Sequence, residues 1–506
     1  MSMSDEISIS WEQHLDGHLK AILEWLALAH RRTGADDAAE VRQQLLLLRE
    51  SPMPIDQRRR ILDLLYAHAQ RVVTAELPAL NGISLPAPRQ IRQRTVVVQE
   101  LLEILAQEYL NTLSKLFDPQ ATASHRAPQQ TLRRVIQCIA WHIRISHLIA
   151  APNGVGIWQQ LHATYRTARR LGCADTPDAE GEPSIQSSYI HILLAAIAQP
   201  ASFSSGELSF ITDYIESSVK SLEILETPPQ DRDGVFWLDL EQDFPAHALA
   251  RRPPSSDTLA LYFACDLVAR DVRQHLAALT EGATAASLGL PAFADTPAGR
   301  GVLRRLSRLW GKPAPRRYPR RRQYYRVNLC AGLEQLWQLM RRPETGGQIS
   351  KWMVTNESPD GYALMHISGP TSHLRVGDIV AVQPTGERAE AQPNWHVGIV
   401  RWAISDNPEH IEIGMQQLAS QAIAAEVVRP LDVEAGNLLA LILPEMPPVR
   451  DLAALVAPTG QLNERERRLI LLVGQDDSGV REVRPTALTE QTASIEVFSV
   501  VPDESR

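Results

Sequence analysis

The sequence predicts a multidomain α+β chain: an all-α N-terminal region, a six-stranded antiparallel β-barrel and a small C-terminal all-β unit. Three observations lead there. At 506 residues the chain is too long for a single hydrophobic core. Apolar residues recur at spacings of three and four from the N-terminus to about Ala283. Beyond Arg326 the apolar period falls to two, in short segments separated by turn residues.

In the first half, Ser10 and Gln13 make a capping-box start, and Trp11, Leu15, Leu19, Ile22 and Leu26 form a stripe that Gly34 ends. Similar stripes run from Ile61 to Val73, Val97 to Leu116, Leu132 to Leu148, Ile157 to Leu171 and Leu259 to Leu279. The stretch Pro119 to Gln130, rich in Pro, Ala, Ser and Thr, either separates a helical lobe over 1–118 from a second over 131–290 or forms a loop in one larger bundle. Pro291, Pro297, Pro313, Pro315 and Pro319 then break helices, so 291–320 reads as a basic Pro/Arg-rich linker. The expected barrel, 321–428, has candidate strands Leu333 to Met340, Lys351 to Thr355, Tyr362 to Ile367, Ile379 to Gln383, Val397 to Ile404 and Glu409 to Met415. Five further segments, from Leu438 to Val500, make a small β unit over 429–506.

Composition excludes several classes. Hydrophobic residues at 44% and charged residues at 22% are ordinary globular values, far from those of disordered or fibrous chains. The longest apolar run, near Ile190 to Ala198, is about half of a bilayer span, so no membrane span is expected. Met1 to Ser10 has neither a basic nor an apolar leader segment, which reads as a cytoplasmic protein. The four cysteines, Cys138, Cys173, Cys265 and Cys330, stand singly, as buried reduced thiols do, and no histidine spacing suits a metal. Gly154-Val155-Gly156 begins like a dinucleotide fingerprint, yet no strand precedes it and Gln159 holds the third glycine's place; it reads as a turn. Trp141, Trp158 and Tyr165 read as core. No nucleophile, base or metal-ligand order stands out, so the chain is read as no enzyme and as having no cofactor.

Charge is unevenly placed. The chain carries a net −8, but residues 301–326 hold ten basic and no acidic side chains, against fourteen basic and twenty-four acidic in 327–506. Two groups follow from that segment. Arg322 and Arg326 bracket the entry to a strand, where planar guanidinium forks bind phosphate oxygens and the O6/N7 edge of guanine. Some thirty residues later, Asn356 and Ser358 offer short groups that donate and accept, and Gly361 permits positive φ or close backbone approach.

R-x-x-x-R at Arg322 to Arg326, followed by [DN]-x-S-x-x-G at Asn356 to Gly361 on a six-stranded segment, resembles the PilZ family over roughly residues 320–428. Arg321 to Val327 looks especially like the motif of flagellar-brake PilZ receptors. The resemblance implies a PilZ-like barrel that binds cyclic di-GMP, with Arg322 and Arg326 on phosphate and guanine, and Asn356, Ser358 and Gly361 at the other wall. Asn356 stands where many members have Asp, so that position accepts a hydrogen bond without bringing charge. Arg321 is placed to engage a second guanine of a self-stacked ligand dimer. The expected function is a non-enzymatic effector of motility, pili, biofilm or virulence. Its helical region would meet an unidentified protein partner, and a mobile arginine hinge would be ordered by ligand. A PilZ-like scaffold that binds protein without nucleotide is the alternative. Without a nucleic-acid reading head, no nucleic-acid partner is expected.

Overall fold

The computed structural model describes residues 19–28, 36–116, 128–176, 183–219, 222–312, 318–342, 348–372, 374–386, 394–407, 409–428, 437–447, 450–462, 468–473 and 479–503. Ser10, Trp11, Gln13, Leu15, Gly34, Pro119, Pro313 and Pro315 lie outside these residues.

The N-terminal region packs α1 (Asp36–Glu50), α2 (Ile55–Glu76), α3 (Arg89–Leu116), α4 (Pro128–Leu148), α5 (Ile157–Arg170), α6 (Ile185–Ile197) and α7 (Ser205–Ser218) around one continuous apolar cluster. Ile22 and Leu26 of the first stripe are buried in that cluster. The cluster also takes in residues on both sides of the expected lobe boundary. The glycine turn before α5 is a helix N-terminus: Gly156 has φ 86°, and the Asp243 carboxylate accepts from the backbone N–H groups of Gly156, Trp158 and Gln159 at 2.6, 3.0 and 3.1 Å. The orphan donors that a phosphate would need are already occupied by the protein's own anion.

The expectation of an all-α first half is corrected by an antiparallel sheet of order β2-β1-β3, made of β1 (Val235–Asp239), β2 (His247–Ala248) and β3 (Ala260–Ala264). The expected helix from Leu259 is a strand at its start and becomes helical only over α8 (Asp266–Glu281). The run Ala260-Leu261-Tyr262-Phe263 is buried on both faces, and such a run has no period by which to separate a strand from a buried helix. The expected linker contains a helix, α9 (Pro297–Leu309). Pro297 starts this helix at the position where a missing N–H costs nothing, and the Thr296 hydroxyl accepts from Gly299 N–H at 3.0 Å. Val302, Leu303, Leu306 and Trp310 complete the helical core.

The first barrel is closed, in the order β4-β5-β6-β9-β8-β7, from β4 (Arg321–Ala331), β5 (Ile349–Ser358), β6 (Gly361–Ser368), β7 (Ile379–Pro384), β8 (His396–Asn407) and β9 (His410–Ala419). The expected strand from Leu333 to Met340 is instead a helix, α10 (Leu333–Arg341). Its apolar positions explain why: Leu333, Leu336 and Leu339 recur every three residues, and the last two are buried.

The C-terminal unit is corrected from a small β unit to a second closed barrel, β10-β11-β12-β15-β14-β13. Its strands are β10 (Ile423–Val427), β11 (Leu438–Leu443), β12 (Ala454–Pro458), β13 (Leu469–Val473), β14 (Gly479–Gln491) and β15 (Ile495–Pro502). In chain order the two barrels have the same strand sequence, first-second-third-sixth-fifth-fourth. They are fused through an apolar seam in which Cys330, Ile379, Val397 and Ile399 of the first and Leu441, Val456 and Val497 of the second pack around Leu336 and Leu339 of α10. The helical region rests on the first barrel where Arg92 donates to the Ser405 carbonyl at 2.7 Å and Leu85 N–H to the Leu374 carbonyl at 3.0 Å. Among the described residues no helix is long and apolar enough to cross a membrane. Cys138, Cys265 and Cys330 are buried free thiols, and Cys173 is a partly exposed one.

Candidate functional site

Strand pairing brings together what the sequence separates. In the β4–β5 register Arg321 lies opposite Glu357, Arg322 opposite Asn356 and Arg326 opposite Met353. A ladder irregularity between Arg322 and Tyr325 re-aims the strand, as bulges at barrel rims do. Tyr325 leans on the barrel core and donates to Glu357 Oε2 at 3.2 Å. The side chains of Arg321, Arg322 and Arg326 are exposed, and among the described residues none of their guanidinium groups has a hydrogen bond or ion pair. Three cations with unused planar donors suit an anionic ligand with flat acceptor edges.

The other wall is a tight turn, Ser358-Pro359-Asp360-Gly361, joining β5 to β6. Pro359 presets the turn dihedral, and the Ser358 hydroxyl donates to Asp360 Oδ1 at 2.7 Å, with the Gly361 carbonyl at 3.2 Å. Ser358 therefore closes the turn and keeps lone pairs free. Gly361 serves close approach rather than positive φ: a Cβ there would lie 2.1 Å from the Met415 carbonyl oxygen on β9.

One line of opposed residues crosses five strands on the face away from the core: Arg322, Asn356, Ala363, Gly414 and Trp402. Directly opposed residues share a face, and the alternate residues Val354, Leu364, Ile413 and Ala403 fill the barrel interior. Trp402 lies across Gly414, whose added Cβ would fall 1.8 Å from the indole nitrogen. The line thus ends in a half-buried indole. Sequence reasoning missed it; the available signal was a mid-strand glycine, which marks a close approach by another group. Along the same edge, Gln416 opposite Gly361 accepts from Arg401 Nε at 2.6 Å, and Arg401 pairs with Glu490 of the second barrel at 2.5 Å.

The basic segment is less free than its charge count implies. Arg305 pairs with Glu207 at 3.2 Å and stacks on Phe203, Arg304 donates to Gln491 at 3.2 Å, and Lys312 reaches Asp233 at 2.8 Å. These cations fasten α9 and the residues just after it to the helical region and the second barrel. Among the described residues most of the segment's unpaired charge lies on β4, at Arg321, Arg322 and Arg326. Arg316 and Arg317 lie outside the described residues. Inside the barrel mouth, Tyr362 bonds His396 Nδ1 at 2.7 Å; burial lowers the histidine's pKa, against the pull of Glu357. Among the described residues no group of three or more His, Cys, Asp or Glu side chains is placed to hold a metal.

Comparison with known proteins follows the same division of the chain. A family model described as "Cyclic-di-GMP receptor FimW, N-terminal domain" matches residues 20–230, and one described as "Cyclic-di-GMP receptor FimW, middle PilZ domain" matches 341–423. The second range contains Asn356, Ser358 and Gly361 and begins after the β4 arginines. The protein named cyclic-di-GMP receptor FimW from Pseudomonas aeruginosa is 20% identical over an alignment of 581 residues, which covers 96% of this chain and 91% of that protein.

Proposed function

Because the chain belongs to the cyclic-di-GMP receptor FimW family, we propose that its first barrel binds cyclic di-GMP at the line beginning with Arg322 and Asn356, and that occupancy changes what the helical region presents to a protein partner. Arg322 and Arg326 take phosphate oxygens and a guanine edge, Asn356 accepts from a guanine, and the Ser358–Gly361 turn forms the opposite wall. Arg321 engages a second, stacked ligand. Trp402 offers a flat apolar surface at the far end of the line.

The observation that carries this reading is the direct pairing of Arg322 with Asn356, which makes one face from two motifs and leaves the guanidinium groups without competitors among the described residues. A ligand that holds the N-terminal half of β4 also sets the path from α9 to the barrel, so binding energy acts on the joint between regions.

Titration calorimetry of the whole chain with cyclic di-GMP, with GTP and cyclic AMP as controls, tests the reading. Two ligands per chain are expected for the wild type and one for Arg321→Ala. Arg322→Ala and Arg326→Ala each remove a charge-assisted contact of about 1.5–3 kcal/mol, roughly 10- to 150-fold in affinity. Absence of heat at tens of micromolar ligand transfers the function to the protein-binding scaffold.

A further inference from the structure

The helical region encloses a cavity of about 550 Å³ between α4, α6 and α7, within the range of roughly 300–1,000 Å³ typical of small-molecule sites. Most of its wall is apolar, with Trp141, Ile192, Ile211 and Ile215 prominent. The charged groups gather on one side. Arg144 of α4 and Glu216 of α7 line the space, and the exposed Asp213, one turn before Glu216 and outside the lining itself, is 3.6 Å from Arg144. Among the described residues one guanidinium therefore serves two carboxylates, which leaves one surplus negative charge beside the cavity.

Among the described residues, no other side chain lining the cavity offsets that surplus. Burial pushes His147 of α4 down to about 4 and lowers His191 of α6, whose Nε2 donates to the Val219 carbonyl at 3.2 Å. Both rings are neutral near pH 7, and His191 has only an acceptor left. Partial burial raises both the Asp213 and Glu216 carboxyls, with Arg144 opposing the rise. The remaining polar wall residues, Gln137, Ser188 and Thr212, carry no charge. The turn Pro200–Ser202, which joins α6 to α7, rests on β8, the strand that bears Arg401 and Trp402. The connection between two of the cavity's walls therefore meets the first barrel.

We propose that this cavity is a second ligand site, separate from the barrel face, that takes a small cationic amphiphile: an apolar body inside and an ammonium or guanidinium group between Asp213 and Glu216. The chemistry is an apolar wall that carries the Glu216 carboxylate, with Asp213 beside it and one arginine for the two among the described residues. An anionic ligand of the same shape would meet those carboxylates.

Two matched fluorescent probes test the site in the full chain: dansylcadaverine, which ends in a primary amine, and dansylglycine, which ends in a carboxylate. The amine probe is expected to bind saturably with a blue-shifted emission, and the carboxylate probe at least about tenfold more weakly, a difference of about 1.4 kcal/mol. The double change Asp213→Asn with Glu216→Gln, both exposed positions, is expected to remove the preference. Ala195→Trp, from a half-buried wall position, is expected to block both probes while the thermal midpoint holds. Should that variant fail to fold, the carboxamide pair decides alone. Equal affinity for the two probes in the wild type, a preference that survives the carboxamide changes, or no saturable binding of the amine probe overturns the proposal.

Discussion

Replacing Gly361 with alanine separates the two reasons a motif glycine exists. Its added Cβ would sit 2.1 Å from the Met415 carbonyl oxygen, whereas close C···O contacts settle near about 3.3 Å, so strands β6 and β9 must part by roughly 1.2 Å. The obstacle is backbone paired in the β6–β9 ladder, Gly361 with Gln416 and Tyr362 with buried Met415, so no side-chain rotation relieves it. Overpacking at about 1–3 kcal/mol, with about 1 kcal/mol for a disturbed ladder bond, predicts a local loss of about 2–4 kcal/mol. The chain has several domains, and one global unfolding energy would blur this effect. Hydrogen exchange read on the β9 segment resolves it: protection is expected to fall roughly 30- to 1,000-fold, and affinity for cyclic di-GMP to fall with it. Gly206→Ala is the control, because its Cβ would meet nothing within 4 Å. Unchanged protection on β9 in Gly361→Ala would refute the close-approach argument.

Three further outcomes follow from the same geometry. Arg305→Ala leaves Glu207, whose side chain is 1% exposed, without its cation and is expected to cost about 3–5 kcal/mol in denaturant unfolding of the helical region; pairing it with Glu207→Gln should recover part of that loss. Asp378, buried where the Gly377 carbonyl accepts from Thr492 and Ser494 of the second barrel, is raised by burial to about 6. A carboxyl whose folded pKa lies above its unfolded one stabilises the protonated state, so this contribution is complete below about pH 4 and lost as pH rises through about 6. Asp378→Asn is thus expected to raise the thermal midpoint at pH 7.5 relative to wild type and to flatten its dependence between pH 4 and 6; an unaltered pH profile contradicts the assignment. Trp402→Ala is expected to weaken cyclic di-GMP binding by about 1 kcal/mol, roughly fivefold, without changing stoichiometry, and equal affinity in calorimetry would remove Trp402 from the site.

The chain's local chemistry alone announced the change from helical to strand period near residue 320, the concentration of arginine there and the Ser-Pro-Asp-Gly turn, because periodicity, charge and turn residues act over a few neighbours. It also announced both short motifs that carry the PilZ resemblance. What tertiary structure decided was non-local. Ala260–Ala264 became a strand because β1 lies beside it, and β10, adjacent in sequence to the first barrel, closes the second instead. Arg305, counted with free cations in the sequence, is consumed by Glu207, a residue nearly a hundred positions earlier. The ligand face is likewise a property of register: only the pairing of β4, β5, β6, β9 and β8 sets Arg322, Asn356 and Trp402 in one line, and ladder irregularities shift that register by single residues that no local pattern encodes.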